Sequence, residues 1–156
     1  SKRLKLTDVE DTRFLHCNIK TLNLLVNVMA AEKAESMGCG ECVFHRGDVV
    51  TECAHSNVSI IKDGIFKTHP TDHYILPGIT RMHIIQICKD NGIPVDETPF
   101  TMAELMDADE IIVSSSTKFC SPACEMNGTP IGGKAPELVK LIQEKYMEKF
   151  ENETAN

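Results

Sequence analysis

A single lysine stands where a short polar segment meets the first apolar residues of a helical pattern. Lys20 lies two residues before Leu22, and its amine is a candidate nucleophile. A cation near the start of a helix opposes the helix dipole, so this position does not favour helix formation. A desolvated lysine, by contrast, has a lowered pKa, and its neutral amine can attack a carbonyl group. A solvated surface lysine is the alternative interpretation.

Two further segments have the composition of phosphate-binding loops. Gly78-Ile79-Thr80 follows a Pro-Gly break and opens a predicted helix. The first N–H groups of a helix lack partners within it, and the helix dipole favours an anion there. Ser114-Ser115-Ser116-Thr117 follows a predicted strand and offers a run of hydroxyl groups together with backbone donors. An ordinary turn and an ordinary serine-rich loop are the alternatives.

Glu52 is a candidate functional carboxylate, because it follows the apolar pair Val49 and Val50 on a predicted strand. On the solvent face of that strand it would be an ordinary surface carboxylate. Facing inward, it would need a proton or a cation as partner. His55 could supply one, and so could a bound heterocycle. A lysine amine, an inward carboxylate and two phosphate loops together match one cofactor, pyridoxal 5′-phosphate.

Composition and charge exclude several classes of protein. A net charge of −7 argues against nucleic-acid binding, which needs clustered lysine and arginine. No apolar run approaches the roughly 20 residues that a membrane span requires. The N-terminus does not resemble a signal peptide, which favours a cytoplasmic protein with reduced cysteines. The chain opens directly on a strand pattern, so we expect a further piece of protein to precede it.

Cys39 and Cys42 are the one cysteine pair with the spacing of a metal or redox site. With His45 they could begin a zinc site, and as C-x-x-C they could form a redox pair. No second pair lies at zinc-ribbon spacing, and the motif leads into a strand. We therefore predict two ordinary cysteines and no metal.

Hydrophobic periodicity predicts a mixture of strands and helices. Strands are predicted at 3–9, 41–45, 49–53, 57–62, 65–69, 95–100 and 110–114, and helices at 22–37, 79–91 and 136–150. Asp63-Gly64 and Asn127-Gly128 predict hairpins, and Thr101 with Glu104 forms a capping box that opens a short helix. The helix at 22–37 should face the core through Leu22, Leu25, Val26 and Met29. The expected fold class is α/β with some α+β character, a single domain whose mixed sheet curls into a partial barrel with flanking helices.

Five segments, in order, resemble one enzyme family. Residues 17–25, 51–58, 68–70, 75–81 and 113–117 are similar to the C-terminal half of fold-type-IV aminotransferases, which use pyridoxal phosphate, and above all to the D-amino-acid (D-alanine) type. The likeness runs from about residue 3 to residue 150. It implies the larger C-terminal domain of that family.

The resemblance also implies roles for individual residues. Lys20 would attach the cofactor covalently and carry a proton between the substrate Cα and the cofactor C4′. Glu52 would pair with the protonated pyridine nitrogen. Leu76 would pack against the face of the cofactor ring, and Arg13 would lie near its phenolic oxygen. The cofactor phosphate would be bound by Ile79, Thr80, Ser115 and Ser116.

The implied partners are an amino acid, a 2-oxo acid, a second copy of the full protein in a homodimer, and the family's N-terminal half, which this chain lacks. Because that half aligns the substrate, we expect this chain alone to be inactive. Two enzymes of the same fold are alternatives. Aminodeoxychorismate lyases share the Leu-Asn pattern after the lysine, whereas branched-chain aminotransferases carry tyrosine where this chain has Leu25. An inert isolated domain that binds no cofactor is the alternative of another class.

Overall fold

A computed structural model describes residues 3–12, 20–54, 56–70, 78–115 and 119–154, with backbone alone at 20–24 and 150–154. In chain order the elements are β1 (Leu4–Glu10), α1 (Lys20–Ser36), β2 (Glu41–Arg46), β3 (Val49–Cys53), β4 (Asn57–Lys62), β5 (Ile65–Thr68), α2 (Ile79–Asp90), β6 (Val95–Asp96), α3 (Met102–Asp107), β7 (Glu110–Ser114), β8 (Ser121–Met126), β9 (Thr129–Pro130) and α4 (Pro136–Thr154). No helix in these ranges combines the length and the apolar character that crossing a membrane requires.

The hairpin turn and the helix cap that were predicted from short sequence motifs are present in the structure. Asp63 and Gly64 both have positive φ, 53° and 78°, as a two-residue hairpin turn requires, and they join the antiparallel strands β4 and β5. At the start of α3, the Thr101 hydroxyl accepts a hydrogen bond from the Glu104 backbone N–H at 3.1 Å. The Glu104 carboxylate in turn accepts one from the Thr101 N–H. Both the hairpin and the capping box are confirmed.

The strands form one mixed sheet that curls on itself. Its order is β3-β2-β1-β8-β7-β4-β5-β6, with β9 added beside β8. β1 is parallel to both β2 and β8, whereas β4 is antiparallel to β5 and β7. Residues 54–56 alone connect β3 to β4, although four strands separate these two in the order. The sheet must therefore bend until β3 approaches β4, which confirms the predicted partial barrel with flanking helices.

Three groups of buried side chains form the core. One lies inside the curl of the sheet and includes Leu6, Val50 and Phe100. The second lies between the sheet and the helices α2 and α4, and includes Ile84 and Ile142. The third lies beneath α1 and fixes that helix against the β1–β2 part of the sheet.

The prediction for the buried face of α1 was wrong for Leu25 and Met29 and right for Val26, which packs against the core. The side chain of Leu22, the fourth predicted residue, lies outside the described part of the structure. Leu25 and Met29 are 58% and 61% exposed. The helix instead buries Ala30 and Ala34, with Val26 packed beside them, against Cys42 and Phe44 of β2. Small side chains let the helix axis approach the sheet closely, so the residues at i, i+4 and i+8 form the contact, and the larger apolar residues of the neighbouring stripe stay outside.

The strand predicted at 95–100 is also much shorter than expected. Only Val95 and Asp96 pair, in parallel with Phe66 and Lys67 of β5. Proline has no N–H to donate to a ladder, so Pro99 disfavours continued pairing. Phe100 is buried nonetheless, and its carbonyl accepts a hydrogen bond from the Val50 N–H at 2.9 Å. The apolar pattern there reflects burial rather than a longer strand.

Glu110 is a fully buried carboxylate that joins distant parts of the chain. It accepts hydrogen bonds from the Arg3 guanidinium at 3.0 Å and from the backbone N–H groups of Gly133 and Ala135 at 3.0 and 3.2 Å. Glu110→Ala would leave these donors without their acceptor, and we expect it to lower the free energy of unfolding by about 3 kcal/mol. Urea unfolding followed by circular dichroism measures this loss.

Glu144→Ala is the matched control for Glu110→Ala. Glu144 contacts Lys140 on the exposed face of α4 at 3.9 Å. Exposed pairs of this kind contribute less than about 1 kcal/mol. Equal losses in the two variants would contradict the structural role assigned to Glu110.

Candidate active site

A cleft lies where β3, β4, β7 and the N-terminus of α2 converge. It has a volume of about 500 Å³ and is lined by side chains from five elements and the loops that join them. We call it the Glu52 cleft. Its lining residues are Asn27, Glu52, Cys53, Ala54, Ser56, Asn57, Gly78, Ile79, Thr80, Ser114 and Ser115.

Glu52 lies on β3 and is 4% exposed, so of the two sequence interpretations the inward-facing carboxylate is the one observed. Its neighbour Thr51 is anchored on the far side of the strand, where the hydroxyl donates to the Asp11 carboxylate at 3.0 Å. Because successive side chains of a strand point to opposite faces, this anchor on Thr51 directs Glu52 into the cleft.

The loop after Glu52 is held by a set of short hydrogen bonds. The Ser56 hydroxyl donates to the buried Glu41 carboxylate at 2.7 Å, and the Cys42 N–H donates to the same carboxylate at 2.9 Å. The Ala54 N–H donates to the Cys42 carbonyl, and the Cys53 N–H donates to the Ser56 carbonyl. These bonds fix the bend through which β3 becomes β4, so this wall of the cleft is preorganised.

The part of the cleft formed by Gly78, Thr80 and Ser115 suits an anion, and we call it the phosphate end. Gly78 is the N-cap of α2 and has no side chain with which to cap the first N–H groups of the helix. Thr80 in the first turn is 6% exposed, and Ser115 faces the same space from the end of β7. Uncapped helix N–H groups with an adjacent hydroxyl form a typical phosphate-binding arrangement.

Asn27 is a site residue that our sequence analysis missed. Its Nδ2 donates to the Ala54 carbonyl at 3.0 Å, which ties α1 to the loop after Glu52. Its Oδ1 is buried and accepts no hydrogen bond from the described residues. Asn27 lies seven residues after Lys20, a spacing that places both on one helix face, so the helical period could have revealed it.

Four of the residues predicted from the sequence, Glu52, Ile79, Thr80 and Ser115, come together in this cleft. Lys20 is the first residue of α1. Its side chain lies outside the described part of the structure. So do Arg13, His55, Leu76 and Ser116, and for these the sequence predictions stand as predictions.

The Cys39 and Cys42 pair does not have the character of a redox site. Cys42 belongs to the core beneath α1, and burial raises the pKa of its thiol to about 12. A reactive redox cysteine instead needs a lowered pKa. Within the described ranges, no three His, Cys, Asp or Glu side chains are grouped as a metal site would require.

The polar groups that line the Glu52 cleft fit a ligand that carries both an anionic group and a protonated ring nitrogen. The volume is in the range of small-molecule sites. The buried Glu52 carboxylate suits a cationic N–H, and the α2 N-terminus suits a phosphate. The buried Oδ1 of Asn27 adds an acceptor that a ligand or a water molecule could satisfy.

Comparison with known proteins assigns the chain to a class. The family model for amino-transferase class IV matches residues 2–126, and the chain therefore belongs to the class IV aminotransferases. The E. coli branched-chain amino acid aminotransferase has the same fold, with a TM-score of 0.85 and 27% identity over 94% of this chain and 51% of that one. A second branched-chain amino acid aminotransferase, solved with pyridoxamine 5′-phosphate, has a TM-score of 0.84 at 25% identity, over 94% of this chain and 50% of that one.

Among curated proteins, D-alanine aminotransferases are similar in sequence. The enzyme of Listeria monocytogenes serotype 4b is 48% identical over 86% of this chain and 47% of its own length. That of Staphylococcus haemolyticus is 48% identical over 90% of this chain and 51% of its own length. The chain thus spans about half the length of the curated relatives that it matches.

Proposed function

We propose that this chain is the cofactor-binding half of a pyridoxal-phosphate-dependent transaminase that exchanges the amino group of a D-amino acid, D-alanine in the first instance, with a 2-oxo acid. The observation that carries the proposal is the Glu52 cleft, which collects a buried carboxylate, an uncapped helix N-terminus and a serine in one cavity. The relatives named D-alanine aminotransferases support the choice of substrate.

The two ends of the cleft would hold the two ends of the cofactor. At one end, the backbone N–H groups of Ile79 and Thr80 and the Ser115 hydroxyl would bind the phosphate, together with Ser116. At the other end, Glu52 would accept a hydrogen bond from the ring nitrogen and hold it protonated. Bound there, pyridoxal phosphate supplies an aldehyde for the substrate amine and a cationic ring that takes up the electron pair released at the substrate Cα.

Lys20 would anchor the cofactor through its amine, with loss of one water, and would move the proton between the substrate Cα and the cofactor C4′ once released. α1 begins at Lys20, and the Asn27 hydrogen bond to Ala54 ties this helix to the loop after Glu52. The amine and the carboxylate would therefore keep a fixed separation. Leu76 would pack on the ring, and Arg13 would lie near its phenolic oxygen.

The whole reaction needs more than this half. Since the relatives are about twice as long, we assign the groups that trap the substrate carboxylate to their remaining half. In the complete protein we propose a homodimer. We propose that the 156-residue chain alone binds the cofactor weakly and does not turn over substrate, because alignment of the substrate contributes a large part of the rate.

Incubation of the 156-residue chain with pyridoxal phosphate, followed by borohydride and peptide mass spectrometry, tests the proposal. We expect a visible absorbance band and a pyridoxyl group on the peptide that contains Lys20. A folded chain that shows neither would support the inert domain instead. Turnover of D-alanine with 2-oxoglutarate by the chain alone would contradict the claim that half of the site is missing, while supporting the reaction itself.

A further inference from the structure

We propose that Asn57 is a positioning residue that sets the width of the phosphate end of the Glu52 cleft. Its side chain packs against Gly78 and holds the N-terminus of α2 at the correct separation from Ser115. This inference rests on the proposed function, because it concerns how the N–H groups of α2 and the Ser115 hydroxyl after β7 bind the same phosphate group.

The sheet fixes one side of this arrangement. Asn57 is the first residue of β4 and lies opposite Ser114 in the antiparallel register of β4 with β7. Both residues are buried, at 9% and 2% exposure, and both line the cleft. Ser115 directly follows Ser114, so the ladder determines where the serine end of the cleft lies relative to Asn57.

The other side is fixed by a close approach at Gly78. A Cβ added to Gly78 would collide with Oδ1 of Asn57 and lie 3.5 Å from its Cγ. The backbone at Gly78 has φ −74° and ψ 140°, which any residue can adopt. Glycine is therefore needed at this position for space and not for conformation. Any side chain there would push α2 away from β4.

Asn57 thus lies between the two halves of the phosphate end. The ladder joins it to β7, and its side chain is in contact with the residue that caps α2. A shift of either contact would change the distance between the helix N–H groups and the Ser115 hydroxyl. A displacement of about 1 Å between groups that bind the same ligand is enough to lower the affinity substantially, so a residue that fixes their separation matters for binding.

The test compares pyridoxal phosphate with pyridoxal, which lacks the phosphate, in spectroscopic titrations of the 156-residue chain. Gly78→Ala is expected to weaken binding of pyridoxal phosphate by roughly tenfold. Pyridoxal affinity should stay within about twofold. In a chain that already carries Asn57→Ala, the same Gly78→Ala change should lower the affinity for pyridoxal phosphate by less than about threefold, because the Asn57 oxygen with which the new Cβ would collide is gone.

Gly40→Ala is the matched control, since Gly40 also has an ordinary φ and the one close approach of its added Cβ is to Cδ2 at the end of the Leu4 side chain, at 2.9 Å. It should leave both affinities unchanged. If Gly78→Ala does not fold, Asn57→Ala alone decides: it should weaken pyridoxal phosphate by about fivefold more than pyridoxal.

Two results would overturn the positioning role and leave the proposed function standing. In the first, Gly78→Ala lowers the affinities for pyridoxal phosphate and for pyridoxal by the same factor. In the second, Gly78→Ala lowers the affinity for pyridoxal phosphate as much in the Asn57→Ala chain as in the unsubstituted chain. If the unsubstituted chain binds neither ligand, the proposed function fails and the inference fails with it.

Discussion

Replacing Lys20 with alanine is expected to abolish covalent capture of pyridoxal phosphate. The condensation needs a primary amine near the aldehyde, and none of the described residues that line the Glu52 cleft supplies one. Borohydride trapping followed by mass spectrometry should show no pyridoxyl group on the peptide that begins α1. In the complete protein, we expect transamination to fall by at least about a thousandfold, because the same amine carries the proton.

Lys140→Ala provides the control for Lys20→Ala, since Lys140 is exposed on α4, outside the cleft lining. It should leave capture unchanged. Capture that persists in Lys20→Ala would mean that another amine holds the cofactor, and the assignment of Lys20 would be wrong.

Glu52→Gln is expected to weaken binding of the cofactor ring without preventing covalent capture at saturating cofactor. Glutamine keeps the shape of the side chain but removes the charge that a protonated pyridine nitrogen requires. Hydrogen bonds to charged groups contribute about 1.5–3 kcal/mol, so affinity should fall by roughly tenfold to a hundredfold. Because this interaction is at the ring nitrogen, pyridoxal and pyridoxal phosphate should lose the same factor, unlike in the Gly78 variant.

The comparison for Glu52→Gln is Glu35→Gln, the same chemical change on the exposed side of α1. It should change neither affinity. A Glu52→Gln chain with unaltered affinity for both ligands would remove the carboxylate from the proposed site, while Lys20 and the phosphate-binding residues would remain as its proposed members.

Local chemistry made much of the fold predictable. Asp63-Gly64 requires two positive φ values, and few residue pairs other than this type adopt them, so the hairpin followed directly from the sequence. The capping box at Thr101 is equally local. Glu52 was predicted as a candidate because it follows the apolar pair Val49 and Val50 on a predicted strand, although its inward direction depends on the pairing of β3 with β2.

The features that escaped prediction depend on contacts between distant segments. The buried face of α1 is set by the space above Cys42 and Phe44, and periodicity alone favoured the larger residues Leu25 and Met29. Asn27 and Asn57 are neutral amides, a residue type common on surfaces, and their immediate neighbours in the sequence do not mark them. The helical spacing from Lys20 could have pointed to Asn27, whereas the importance of Asn57 appears only when β4 and α2 are placed around one cavity.

The place of β1 inside the sheet has a consequence for the biosynthesis of the protein. β1 pairs on one side with β2 and on the other with β8, where Leu4 lies opposite Ala123. Ribosomes add about 5–20 residues per second, so β1 emerges several seconds before its second partner has been translated. During that interval the open edge of the nascent strand can pair with other chains. Translation that stops before β8 would leave this edge exposed permanently, and such truncated products should depend on chaperones or be degraded.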